Sequence, residues 1–177
     1  LPDLTGIPSN ASDCVNEEWW HGGKLVEITF QHKHLTSTIP SNLGDLEKLE
    51  ILRLADNDLI GAIPANIMHL NNLNTLKLNS NNLSGSIPAN IGELSNIDTL
   101  WLNDNNLNGE IPLSITTLTE LEHLKLENNN LIGTIPQSIG NLESIRHIYL
   151  DNNQLSGIIP QSVENLLNLR RMYLYNN

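Results

Sequence analysis

The sequence is poor in cysteine, in aromatic residues and in positive charge. Cys14 is the only cysteine among 177 residues, so no disulfide forms within the chain. We interpret Cys14 as a small buried residue, with a disulfide to a region outside this chain as the alternative. Nine Lys and Arg residues oppose 20 Asp and Glu residues, and the net charge of −11 argues against a general binder of nucleic acids or of anionic membranes.

Long apolar runs, a signal sequence and catalytic motifs are also absent. No run approaches the roughly 20 apolar residues of a membrane helix, and the N-terminus lacks the basic and apolar regions of a signal peptide. We therefore predict a soluble mature chain that meets a membrane only through a segment outside this sequence. The motifs GxSxG, HExxH, CxxC and GxxxxGKS/T do not occur, so we predict a protein that is not an enzyme and that has no cofactor.

The sequence instead has a repeat with a period of 24 residues, and its clearest copy is residues 83–106. One leucine opens every copy, at Leu35, Leu59, Leu83, Leu107, Leu131 and Leu155. An Ile-Pro pair, a glycine and an asparagine recur with the same spacing, the asparagines being Asn57, Asn81, Asn105, Asn129, Asn153 and Asn177. A fixed period of this length predicts a solenoid and outweighs local propensities.

Each unit is predicted to be a short strand followed by a tight turn. Leu100 and Leu102 alternate with outward residues, as in a strand, whereas Ile91, Leu94 and Ile97 recur every three residues, the period of a 3₁₀ turn. Stacked units can bury leucines that one unit cannot, with strands paired in parallel at about 4.8 Å. The repeated asparagine is predicted to be a buried amide, stacked on that of the next repeat, that satisfies backbone groups of the loop.

The pattern LxGxIPxxIGxLxxLxxLxLxxNxL, read from Leu83 to Leu107, resembles the plant-type leucine-rich repeat over residues 25–177. Receptor-like kinases, receptor-like proteins and polygalacturonase-inhibiting proteins carry this repeat. The resemblance implies an α/β-type solenoid, a right-handed arc or superhelix of about seven stacked units. One parallel β-sheet would form its concave face, short 3₁₀ turns and loops its convex face, and its role would be recognition. The single Cys14 departs from the pair of cysteines that is usual in the N-terminal cap of plant members.

The two ends of the chain depart from the repeat. Residues 1–24 are predicted to form an N-terminal cap, and residues 25–177 the repeats, of which the first is degenerate at Lys33 and Ser37. No C-terminal cap follows the last strand, which would expose Met172 and Leu174. We predict that this edge pairs with more repeats or with another chain.

The outward residues of the predicted strands fall into three columns. The first column is Glu27, Ile51, Thr75, Thr99, His123, His147 and Arg171. The central column is Thr29, Arg53, Lys77, Trp101, Lys125, Tyr149 and Tyr173. The third column is Gln31, Ala55, Asn79, Asn103, Glu127, Asp151 and Tyr175.

The columns hold four of the seven aromatic residues and four of the nine Lys and Arg residues of an acidic chain. Exposed Trp and Tyr beside Arg are typical of binding hot spots, whereas cross-strand packing for sheet stability is the alternative interpretation. We predict a partner-binding surface made of Arg53, Lys77, Trp101, His123, Lys125, His147, Tyr149, Arg171 and Tyr173.

His123 and His147 lie one repeat apart in the first column, so their rings are expected to meet. A zinc site needs further ligands, and Glu127 and Asp151 lie two columns away. We therefore interpret the two imidazoles as a polar, pH-sensitive part of the surface and not as a metal site.

The predicted function is recognition of a protein or peptide, with acidic groups, on the concave face of an extracellular or cell-surface protein. The sequons at Asn10 and Asn82 favour that location, and a cytoplasmic location is the alternative. Inhibition of a secreted enzyme is a second hypothesis. An ice-binding or structural surface is a third, for which only the two-rung ladders Thr75-Thr99 and Asn79-Asn103 are suitable.

Overall fold

The computed structural model of the chain describes residues 20–21 and 24–177. Most of the predicted cap, with Cys14 and Asn10, lies outside these residues. The strands, in chain order, are β1 Trp20–His21, β2 Lys24–Leu25, β3 Glu27–Thr29, β4 Ile51–Arg53, β5 Ile60–Gly61, β6 Thr75–Lys77, β7 Asn82–Ser86, β8 Thr99–Trp101, β9 Asn106–Glu110, β10 His123–Lys125, β11 Asn130–Thr134, β12 His147–Tyr149, β13 Gln154–Ser156 and β14 Arg171–Tyr173.

Seven of these strands form the predicted parallel sheet of the concave face. Their order is β3, β4, β6, β8, β10, β12, β14, so each unit lies beside its neighbours in sequence. The register repeats with the period of the sequence, because Leu52 lies opposite Leu76 and Leu76 opposite Leu100. The solenoid of seven stacked units is therefore confirmed. At the N-terminal side, β1 and β2 form a separate antiparallel pair.

The return half of each unit contains a 3₁₀ segment, as the spacing of three predicts. The segments are Ser41–Asp45, Ala65–His69, Ile91–Glu93, Leu113–Thr117, Ile139–Asn141 and Gln161–Asn165. Pro64, Pro112 and their equivalents lie directly before the longer segments in extended conformation, where a fixed φ and a missing N–H cost nothing. These short turns place the convex side of each unit against the next.

A second parallel sheet, which the repeat pattern did not predict, lies between the asparagine and the Ile-Pro pair of each unit. Its order is β5, β7, β9, β11, β13. The repeated glycine takes a positive φ, 77° at Gly85, so the chain bends within these strands without strain. Gly85 lies opposite Leu107 and Ser84 opposite Asn106. Five of the seven units therefore present two strands with outward side chains.

The leucine and isoleucine columns form one continuous core between the sheets and the 3₁₀ segments. Ile91, Leu100 and Leu107 are all 0% exposed, so side chains from the three parts of a unit are buried together. Met172 and Leu174, predicted to be exposed, are partly buried against this core. Their equivalents one unit earlier, Ile148 and Leu150, are 0% exposed.

The repeated asparagine is buried, and its side-chain amide binds backbone groups of its own loop and of the preceding unit. Asn105 donates from Nδ2 to the carbonyls of Leu78, Leu102 and Asn103 at 3.0, 3.2 and 3.1 Å. Its Oδ1 accepts the N–H of Leu83 at 2.9 Å. Each asparagine thus joins its own loop to the preceding unit, and it satisfies groups that burial would otherwise leave unpaired.

Candidate functional site

The concave sheet brings the predicted site residues into the columns that the period defines. In the central column Arg53 lies opposite Lys77, and Lys77 opposite Trp101. Lys125 lies between Trp101 and Tyr149. Because neighbouring strands lie about 4.8 Å apart, each residue in a column lies beside the residues of the neighbouring strands in that column. The site is a continuous strip across the strands.

Trp101 is held between two lysines. Lys77 Nζ lies 3.6 Å from the centre of the ring and Lys125 Nζ lies 4.2 Å from it, which is the geometry of cation–π attraction. Lys125 is also 5.3 Å from the Tyr149 ring. Burial, followed by the charges of Arg53 and Lys125, lowers the pKa of the Lys77 ammonium group. The middle of the strip is therefore an ordered stack of alternating cations and rings.

Arg53 is less available to a partner than the sequence suggested. Its Nη1 donates to Glu27 Oε1 at 2.8 Å, and Thr29 Oγ1 donates to the same oxygen at 2.8 Å. The first strands of the sheet thus contain a half-buried ion pair. The contacts of Arg53 therefore fit the alternative interpretation, in which the column residues stabilise the sheet by cross-strand packing. Lys77 and Lys125, in contrast, have no carboxylate partner within residues 24–177.

A cluster of tyrosines lies on β12, on β14 and just after β14. The Tyr149 and Tyr173 rings meet edge to face, with centres 5.0 Å apart and planes at 68°. Tyr175 follows, 6.2 Å from Tyr173, and Tyr173 and Tyr175 are 40% and 58% exposed. A hydrogen bond with Tyr149 raises the pKa of the Arg171 guanidinium group. These rings present large exposed area of the kind found at binding hot spots.

His123 and His147 contact each other, as the column predicts. Their Nδ1 atoms are 3.0 Å apart and their ring centres 5.0 Å apart. Burial, and then the charges of His123 and Arg171, lower the pKa of the His147 imidazole. In the described part of the chain no group of three or more His, Cys, Asp or Glu residues is placed to hold a metal ion.

The third column contains polar atoms that the sequence did not single out. Asp151 is 3% exposed and Asn103 7%, and Glu127 lies between them in the column. One side-chain oxygen of each makes no hydrogen bond to the residues that the structure describes. Burial raises the pKa of the Glu127 carboxyl to about 7, and the charges of Asp151 and Asp104 add to the effect. Sequence reasoning placed these residues in a column but had no signal for their burial.

The ladders considered for an ice-binding surface are not open faces. Thr75 is 8% exposed and Asn103 is 7% exposed, and the other member of each ladder, Thr99 or Asn79, is half-buried. A flat array that contacts a solid surface needs exposed side chains. The outward column of β7, β9 and β11 is more open: it consists of Asn82, Asn106 and Asn130, all exposed. Asn82, the glycosylation candidate within the described chain, is therefore accessible.

The comparisons with known proteins agree with this architecture. Family comparison matches the leucine-rich repeat at residues 95–155 and 119–177, and at residues 48–70 and 72–94. A search of the curated proteins gave no match. Among the described residues, no helix has the length and apolar character needed to cross a membrane.

Solved structures of similar proteins include plant receptors. The Arabidopsis receptor kinase HAESA, solved in complex with the peptide hormone IDA and the co-receptor SERK1, is 36% identical, with a TM-score of 0.82 over 85% of this chain and 25% of that chain. Pollen Receptor Kinase 3 is 31% identical, with a TM-score of 0.81 over 89% of this chain and 76% of that one. A plant ice-binding protein is 36% identical, with a TM-score of 0.76 over 85% of this chain and 48% of that one.

This chain spans about a quarter of the HAESA chain, so the comparison covers a set of repeats and not a whole receptor. Identity above 30% over most of this chain, the matched repeats and the observed solenoid lead to one assignment. The chain belongs to the leucine-rich-repeat family, and its repeats are of the plant receptor type.

Proposed function

We propose that the chain is a non-catalytic recognition module that binds a peptide, or an extended segment of a protein, across the strands of its concave sheet. The observation that carries the proposal is the strip of Lys77, Trp101, Lys125, Tyr149 and Tyr173, in which cations alternate with large rings. A rigid scaffold holds these groups in place before a partner arrives, so little ordering entropy is lost on binding. The complex of the similar receptor HAESA with a peptide hormone supports the same use here.

The partner is expected to carry acidic groups. Lys77, Lys125 and Arg171 form no ion pair with any residue of the described range, in a chain with a net charge of −11. Isolated positive charge on an acidic protein attracts acidic partners and repels basic ones. Arg53, already paired with Glu27, contributes less to this attraction.

We further propose that the chain is an extracellular part of a receptor-like or secreted protein. The similar receptor structures and the exposed sequon at Asn82 support this location. Inhibition of a secreted enzyme by the same strip remains the second hypothesis, since a concave basic and aromatic face fits an acidic protein surface as well as a peptide.

The experiment selects peptides from a random display library on the purified chain and measures their affinity. The double variant Trp101→Ala with Tyr149→Ala should weaken binding of a selected peptide at least a hundredfold, because each ring buries large area at the centre of the strip. Its unfolding midpoint should change little, since both side chains lie outside the leucine core.

The matched control is Asn106→Ala with Asn130→Ala on the second sheet, which should leave affinity unchanged. The proposal fails if no peptide is selected. It also fails if the second-sheet variant loses binding while the concave variant retains it.

A further inference from the structure

The two histidines of the first column meet through their nitrogen edges. The ring centres are 5.0 Å apart, but the Nδ1 atoms are only 3.0 Å apart, so these atoms face each other. At that distance one ring donates an N–H and the other accepts with a lone pair. A first added proton leaves this hydrogen bond in place and makes it charge-assisted. A second would put N–H groups on both sides and replace attraction by repulsion.

The charges around the pair are unevenly distributed. On the His123 side, Glu122 Oε2 lies 3.9 Å from His123 Nε2, but this carboxylate is also held by Arg146 at 2.7 Å. The neighbouring strand β8 places the uncharged Thr99 opposite His123. On the other side, β14 places Arg171 opposite His147. The central column beside the pair adds the positive charge of Lys125 and the ring of Tyr149, 6.2 Å from His147.

Positive charge is therefore in excess at His147. Arg171, Arg170 and Arg146 all oppose protonation of this ring, and Arg171 has no carboxylate partner within residues 24–177. A carboxylate bound at this point would offset the arginine charges and accept a hydrogen bond from the imidazolium. The bound carboxylate would therefore increase the affinity of the His147 imidazole for a proton.

We propose that His147 and Arg171, with His123 sharing the proton, form the subsite for a carboxylate group of the partner, and that this group binds together with one proton. The inference rests on the proposed function of the concave face, and it adds a position and a pH dependence. Because binding and protonation are linked, the partner binds more tightly as pH falls. Full coupling of one proton gives about a tenfold change in Kd per pH unit.

The test uses acetyl-tetra-aspartate amide as the probe and acetyl-tetra-asparagine amide as the uncharged control. Titration calorimetry at pH 5.5 and pH 7.5, in two buffers of different ionisation enthalpy, counts the protons taken up. The aspartate peptide should bind at least about tenfold more tightly at pH 5.5 than at pH 7.5. It should also take up a proton when it binds at pH 7.5.

Three variants locate the effect. His147→Gln and His123→Gln should each abolish most of the proton uptake, while Arg171→Gln should weaken binding at both pH values. His69→Gln, at a 3₁₀ segment away from the sheet, should behave as the wild type. Unchanged unfolding midpoints would show that the variants are folded.

Equal affinity at both pH values, no binding of the aspartate peptide, or proton uptake that persists in the double variant His123→Gln with His147→Gln would each overturn the inference. The proposed function has a separate test. Peptides selected from the library and lost in the Trp101 and Tyr149 variant would still establish concave binding. The absence of any selected peptide would instead contradict the proposed function.

Discussion

Two parallel sheets run along the same solenoid, and their outward side chains differ in kind. The concave sheet presents lysines, histidines and aromatic rings that contact one another from strand to strand. The second sheet presents mainly small or polar side chains, such as Asn82, Ser86, Asn106 and Asn130, which are exposed. Both sheets bury leucines on their inner side.

The difference between the two sheets shows which residues the fold requires and which it does not. Stacking of units requires the leucines, the glycines and the buried asparagines, and these recur in nearly every unit. It does not require Trp101 between two lysines, since the small residues of the second sheet form a ladder equally well. The composition of the concave columns therefore supports our proposal that they contact a partner.

The largest expected effect compares an inward asparagine with its outward neighbour. Asn105→Ala removes four hydrogen bonds to backbone groups and should lower the free energy of unfolding by about 1–3 kcal/mol. Asn106→Ala, one residue later on the second sheet, should change it by less than about 0.5 kcal/mol because its side chain is exposed. Chemical denaturation measures both, and equal losses would contradict the role assigned to Asn105.

A smaller effect concerns Glu127, the concave carboxyl whose pKa is raised to about 7 by burial. The folded state holds this proton more tightly than the unfolded state, so unfolding releases it between about pH 4.5 and pH 7. Stability contributed by this group is complete below that window and is lost as pH rises through it. Because Glu127 is partly exposed, we expect a loss on the order of 1 kcal/mol.

Glu127→Gln should flatten the dependence of unfolding free energy on pH across this window. Denaturation curves at pH 5, 6, 7 and 8 measure the slope, and Glu143→Gln, at an exposed position, serves as the control. An unchanged slope in Glu127→Gln would show that this half-buried carboxyl does not hold the proton.

The smallest expected effect compares a free and a paired charge within the concave sheet. Lys77→Gln should slow association with acetyl-tetra-aspartate amide roughly threefold at low salt, because an unpaired charge steers an acidic partner. Arg53→Gln should have less effect, since Glu27 already offsets its charge. Stopped-flow rates at two salt concentrations measure the difference, which should diminish at high salt.

The repeat predicted most of the fold because each recurring residue has one physical requirement. Leucine spacing predicted the strands and the core, and Ile91, Leu94 and Ile97 predicted the 3₁₀ turn. The second sheet was not predicted, because its strands contain Gly85 and polar residues that resemble a loop in sequence. Its strands form through the alignment of neighbouring units, which a single unit does not encode.

The candidate site was predictable in position but less so in energetics. The columns placed His123 next to His147 and Lys77 next to Trp101, since register follows from a fixed period. Pairing of Arg53 with Glu27 was not apparent, because two residues 26 apart in sequence meet diagonally between strands. The burial of Asp151, which is 3% exposed, was not apparent either. Asp151 raises the pKa of the Tyr175 hydroxyl, and the sequence pattern did not indicate this interaction between successive units.

The side chains of the repeated asparagines link each unit to the unit before it and not to the unit after it. Asn105 binds the backbone of the preceding unit at Leu78 and Leu83, and Asn129 binds Leu102 and Leu107 in the same sense. When the unit that contains Asn105 opens, the preceding loop loses the side-chain oxygen and N–H of Asn105 as hydrogen-bond partners. The loop of the following unit keeps its hydrogen bonds to its own asparagine, Asn129. Local opening should therefore propagate more readily toward the N-terminus than toward the C-terminus. If one unit were weakened, the amides of the unit before it would then exchange faster than the amides of the unit after it.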